Sequence, residues 1–161
     1  MAAVEYCLRI DGIAGDSQDE KHKREIQLES FSWGLAHAEA SGGPAGGGGA
    51  GKAVVQDLDF VQRTSVASPR LIEAVATGKH VKTATLTARK VGGGQQEFLT
   101  IKLDDVVVSS YEISERGAEY PLESVRLRFD TVHVTYKPQK PDGSLGAPVT
   151  FGWSVKQNKT V

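Results

Sequence analysis

VRLRFDTVHVTY, residues 125–136, decides how this chain folds. Apolar residues sit at odd positions in Val125, Leu127 and Phe129, then at even positions in Val132, Val134 and Tyr136. A period of two marks a strand with one packed face and one polar face. The change of parity predicts one extra residue near Asp130, a β-bulge that bends the strand and redirects its apolar side. A second switch runs from Ile26 and Leu28 to Phe31, Trp33 and Leu35, and predicts another extra residue near Glu29. Two such bends curl a sheet towards a barrel.

Working outward, the same period recurs in Leu99-Thr-Ile101-Lys-Leu103-Asp and in Val149-Thr-Phe151-Gly-Trp153-Ser-Val155-Lys. Weaker versions lie at 6–11 and at 81–87, the latter rich in β-branched residues that suit strands. These read as half-buried antiparallel strands. Only one segment reads as a helix. Ser68 is placed to cap it, Pro69 suits its first position, Leu71, Ile72 and Val75 form the apolar stripe, and Gly78 closes it. Gly92-Gly-Gly94 reads as a hairpin turn, and KPQKPDGSLG (137–146) as a loop between the last two of these strands. The expected fold class is therefore mainly β: a small antiparallel β-barrel of two curled sheets with one short flanking α-helix, in a single domain over 1–161.

The bulk numbers suit that size. The chain has 161 residues, 39% hydrophobic and 24% charged, with a formal net charge of −1, enough length for a real core. So balanced a charge supplies no basic field for nucleic acid or an anionic membrane. One cysteine, Cys7, excludes an intramolecular disulfide and any multi-cysteine zinc site; its alternating apolar context predicts an inert, part-buried thiol. The N-terminus MAAVEYCLRIDG shows no basic segment followed by an apolar one, so no signal peptide is expected. No stretch approaches the roughly 18 apolar residues of a membrane span. Synthesis and folding in the cytosol follow.

The segment GGPAGGGGAGKA, residues 42–53, imitates a phosphate-binding loop, since Gly46, Gly51 and Lys52 have the required spacing. A working loop needs a helix next, whose N-terminal N–H groups hold phosphate, and a hydroxyl after the lysine for magnesium. Here Ala53 follows, and residues 54–60 read as a strand. Seven of the ten residues from 42 to 51 are glycine, the costliest residue to order. A flexible loop that orders against a partner is the better reading.

Nothing else proposes an active site. His22, His37, His80 and His133 stand at no metal-ligand spacing, and His22 lies in a mixed-charge run, DEKHKRE, that reads as a solvated face. Asp57 with Asp59, and Asp104 with Asp105, read as surface carboxylates of strands. No catalytic residue, cofactor or metal site is expected, so the protein reads as a non-enzyme.

The whole-chain pattern carries more. YCLRIDGIAGDSQDEKHKREIQLESFSWG, SPRLIEAVATGKHVKTATLTARK and LESVRLRFDTVHVTYKPQKPDGSLGAPVTFGWSVKQNK, in that order, resemble the haemolysin-coregulated protein (Hcp) family. Asp11-Gly12-Ile13-x-Gly15, Phe31-Ser-Trp33-Gly34, Ala76-Thr-Gly-Lys-His80 and Asp142-Gly-Ser144 are jointly specific. The resemblance implies the inner-tube protein of type VI secretion systems: a β-barrel with a flanking helix, a homo-hexamer closing into a ring, and rings stacked head-to-tail. It implies as partners a contractile sheath, a spike protein at the tube tip and small effectors riding in the lumen, with export of the folded protein without a signal peptide. It also implies that the extended loop at 41–52 meets the adjacent ring, which makes Gly42, Gly43, Pro44, Gly46, Gly47, Gly48, Gly49 and Lys52 the candidate stacking residues. The competing readings are a secreted effector and a small-ligand-binding β-barrel module without tube assembly.

Overall fold

The computed structural model describes residues 3–39, 51–92, 94–117 and 119–161. Eleven strands and one helix follow in order: β1 (Val4–Ile10), β2 (Ile26–Leu28), β3 (Ser30–Ser32), β4 (Leu35–Ala38), β5 (Lys52–Val55), β6 (Leu58–Arg63), α1 (Ser68–Thr77), β7 (His80–Lys90), β8 (Glu97–Ser114), β9 (Leu122–Tyr136), β10 (Val149–Ser154) and β11 (Lys159–Thr160). Nine form one antiparallel sheet with the path β11-β10-β9-β8-β7-β1-β2, while β6 pairs with β9 and β3 with β6. β4 and β5 make a separate hairpin.

The mainly β class and the single short helix agree with the sequence. The barrel is less complete than expected. β2 pairs with β1 through Leu28↔Tyr6, β3 pairs with β6 through Phe31↔Phe60, and the chain changes neighbour at Glu29, whose N–H donates to Val61 O at 2.8 Å. The sheet curls, but no ladder of rungs runs continuously around it.

The parity switch in β9 is real and its cause is different. Val125, Leu127 and Phe129 are buried, then Val132. Across from it β8 switches too, from Leu103 to Val106. The pairs Asp104↔Thr131 and Val106↔Phe129 keep one register, so no extra residue sits at Asp130. Both strands turn together, with Asp105 taking a positive φ of 55°. The true register shift lies between Val108 and Ser110. There the Ser109 hydroxyl donates to Asp57 Oδ2 at 2.7 Å.

Past the turn β9 exchanges partners: residues Leu122–Leu127 face β6 and Thr131–Tyr136 face β10. Phe60, Leu8, Leu71, Leu86 and Leu127 fill the curl. Helix α1 closes one side, burying Leu71 and Ala74, whereas Ile72, expected in the stripe, is exposed. Its cap is Ala67, one residue earlier than expected. The Ser68 hydroxyl instead donates to the buried Glu123 at 2.7 Å, and Glu123 also accepts from Gln62 Nε2 at 3.0 Å. That use of the hydroxyl explains the displaced cap. Gly78 ends the helix at φ 65°, as expected.

Candidate functional site

The glycine-rich segment joins β4 to β5, which pair from Leu35↔Val55 to Ala38↔Lys52. Of the candidate stacking residues, Gly42, Gly43, Pro44, Gly46, Gly47, Gly48 and Gly49 lie outside the described residues, and Lys52 opens β5. A strand, not a helix, therefore follows the Gly-Lys pair, and the helix N-terminus a triphosphate needs is missing at that position. All of β4 is exposed. On one face of the hairpin Ala36, Ala38, Lys52 and Val54 all meet solvent, while Ala53 and Val55 on the other face are half-buried. Ties to the body come at its base, where Trp33 Nε1 donates to Gln56 O at 3.0 Å and Ala53 N to Asn158 Oδ1 at 3.3 Å.

A Lys52→Ala variant is expected to keep its fold and its assembly, and ATP is expected to leave the melting temperature of either protein unchanged. An ATP-dependent rise in the parent that Lys52→Ala abolishes would reinstate the phosphate loop.

The other titratable groups are placed as follows. Cys7 is buried beneath a polar cleft of about 750 Å³ lined by Asp16, Ser17, Asp19, Arg63 and Tyr120 among others. Burial pushes its thiol up to about 11, so it is no thiolate at neutral pH. Arg89, 4% exposed, holds the cleft wall. Its guanidinium donates to Asp19 Oδ2 at 2.7 Å and to Glu5 Oε2 at 3.0 Å. The hydrogen bond from Arg89 holds the Asp19 carboxyl well below the usual carboxylate range. Tyr111 is pushed up to about 12, chiefly by burial and then by Glu123 beside it.

His22 departs from the sequence reading. It is buried, with Nε2 2.7 Å from Glu97 Oε1 and Nδ1 against Glu25 Oε2. Glu97 is far along the chain, so no local pattern could have signalled the burial. The paired aspartates engage cations on outer strand faces: Asp59 with Arg126 at 2.9 Å, Asp57 with Arg128 at 3.7 Å. Asp104 lies 3.8 Å from His133 Nε2, and Asp105 3.4 Å from His80 Nδ1. Among the described residues no set of three or more His, Cys, Asp and Glu side chains is arranged to hold a metal ion. No described helix is long and apolar enough to cross a membrane.

The chain matches the family model described as "Type VI secretion system effector, Hcp" over residues 7–136. It is 43% identical over 159 residues to the protein hcp1 of Pseudomonas aeruginosa strain PAO1, covering 97% of this chain and 98% of the relative. Among solved structures it resembles Hcp1 from Salmonella typhimurium, with 33% identity, full coverage of both chains and a TM-score of 0.80. A second, titled as a type six secretion system protein, shares 29% identity over 99% of this chain and 100% of its own, with a TM-score of 0.89. Hcp proteins are secreted structural components of these systems that form oligomeric rings, and are not enzymes. With the family model spanning most of its length and a relative 43% identical end to end, this chain belongs to the Hcp family.

Proposed function

We propose that the protein is the inner-tube subunit of a type VI secretion system. Six copies close into a ring, rings stack head-to-tail, a contractile sheath expels the tube behind a spike protein, and small effectors travel in the lumen. Export then proceeds from the cytoplasm without a signal peptide. The observation that carries this reading is the β4–β5 hairpin, exposed along the whole of β4 and bearing the glycine-rich segment between its strands. A two-stranded hairpin is marginal by itself in water, so one that buries so little of itself is suited to a neighbour. Contacts that join one surface to a different surface on the next copy close into rings or run on as filaments, depending on the rotation.

Light scattering on the purified protein should give a ring-sized particle, and negative-stain images should show closed rings. A monomer at high concentration would overturn the proposal. Removing residues 46–49 is expected to shorten end-to-end stacks while leaving rings closed, because an ordering loop contributes at the junction between rings and not within one. Equal loss of rings and stacks would place the loop elsewhere.

A further inference from the structure

β10 carries an apolar strip that nothing in the chain covers. Val149 stands opposite Tyr136, and Phe151 opposite Val134, so these side chains share the face that further along buries Val132. Towards the start of β10 that face opens: Val149 is 66% exposed, Tyr136 47% and Phe151 41%. β11 pairs only with Trp153 and Ser154, which leaves the outer edge of β10 from Val149 to Phe151 without a strand beside it among the described residues.

The hairpin lies at the other end of the same strand. Its Ala53 N–H reaches Asn158, in the turn that follows β10, and Val155 N donates to Asp130 O at the sheet's sharp turn. Five steps of extended strand separate Val149 from Ser154, on the order of 17 Å. The chain thus shows an uncovered apolar strip at one end and, at the other, a hairpin whose Ala36, Ala38 and Val54 face is also uncovered, with Val54 52% exposed.

We infer that the Ala36–Ala38–Val54 face of the hairpin of one copy docks on the Tyr136–Val149–Phe151 strip of a second copy in the next ring. Both partners are short, extended and apolar, and an open strand edge accepts an extended segment by backbone pairing while the side chains add apolar contact. The two surfaces differ and lie at opposite ends, so the contact leaves each new copy with the same pair of free surfaces. It propagates along an axis. This inference rests on the tube reading and names the surface that receives the hairpin.

The test uses full-length protein carrying Cys7→Ala, Val54→Cys and Phe151→Cys, with melting temperature and ring formation checked first. Mild oxidation is expected to give a covalent ladder on denaturing gels that continues past the number of chains in one ring, since each link joins consecutive rings. Separately, Phe151→Glu should weaken ring-on-ring association roughly tenfold or more while rings stay closed. Stacked rings that form no link, or a ladder that stops at one ring, would overturn the inference while leaving the tube reading standing. Absence of rings in the parent protein would remove the tube reading and this docking with it.

Discussion

Replacing Arg89 with alanine is expected to lower folding stability by about 3–5 kcal/mol, the usual range for breaking a buried charge pair. For a domain of this size the melting temperature would fall by roughly 10 °C. Arg89 is the cation between two carboxylates from distant parts of the chain, Glu5 on β1 and Asp19 in the segment that covers β1. Asp19 in turn accepts from the backbone N–H of Lys21 and of His22. Loss of the guanidinium leaves two carboxylates facing each other and unpins that segment from the sheet. The pH dependence has a definite sign. Because Arg89 depresses the Asp19 pKa in the folded state, Asp19 favours folding above its unfolded value of about 3.9, and this contribution is lost as pH falls through the lower folded value. Chemical denaturation between pH 5 and pH 2 should therefore show a flatter stability profile for Asp19→Asn than for the parent. Parallel profiles would mean the pair contributes nothing in solution.

The second large effect is expected at Phe60. Its ring is fully buried at the centre of the curl, and its backbone stands between Phe31 of β3 and Val125 of β9. Truncation to alanine removes the ring and leaves a cavity among side chains that cannot collapse around it, for about 3–5 kcal/mol. Phe60→Leu should recover most of that, since it restores apolar volume without a new polar group. A guanidinium-denaturation midpoint unchanged in Phe60→Ala would show that the curled sheet is not held from this point. Equal loss in the alanine and leucine variants would point to the shape of the ring and not to its bulk.

Much of the fold was legible because a strand's period is local. The alternations at 99–104, 125–136 and 149–156 each became a strand, the helix formed where Pro69 and Gly78 bracket it, and the break in alternation near Asp130 marked a real turn of the sheet. What the alternation could not show is how that turn is made. A change of parity looks the same whether one strand gains a residue or two strands turn together, and only the facing register of β8 separates the two. The helix cap was misplaced for a similar reason: Ser68 is a good cap by type, but a buried carboxylate from β9 claims its hydroxyl.

The candidate site divides the same way. The sequence alone excluded a phosphate loop, since Ala53 has no oxygen to offer magnesium and strand-forming residues follow Lys52. Residue order alone also carried the family, through motifs spread along the chain. The tertiary structure decided the burial of His22 between two glutamates, the commitment of Arg89 to Glu5 and Asp19, the exposure of Ile72, and the placing of a bare hairpin and a bare apolar strip at opposite ends of β10. Those outcomes depend on which distant segments meet. Periodicity and propensity report a residue's own neighbours in the chain, whereas burial and ion pairing belong to the neighbours that folding supplies.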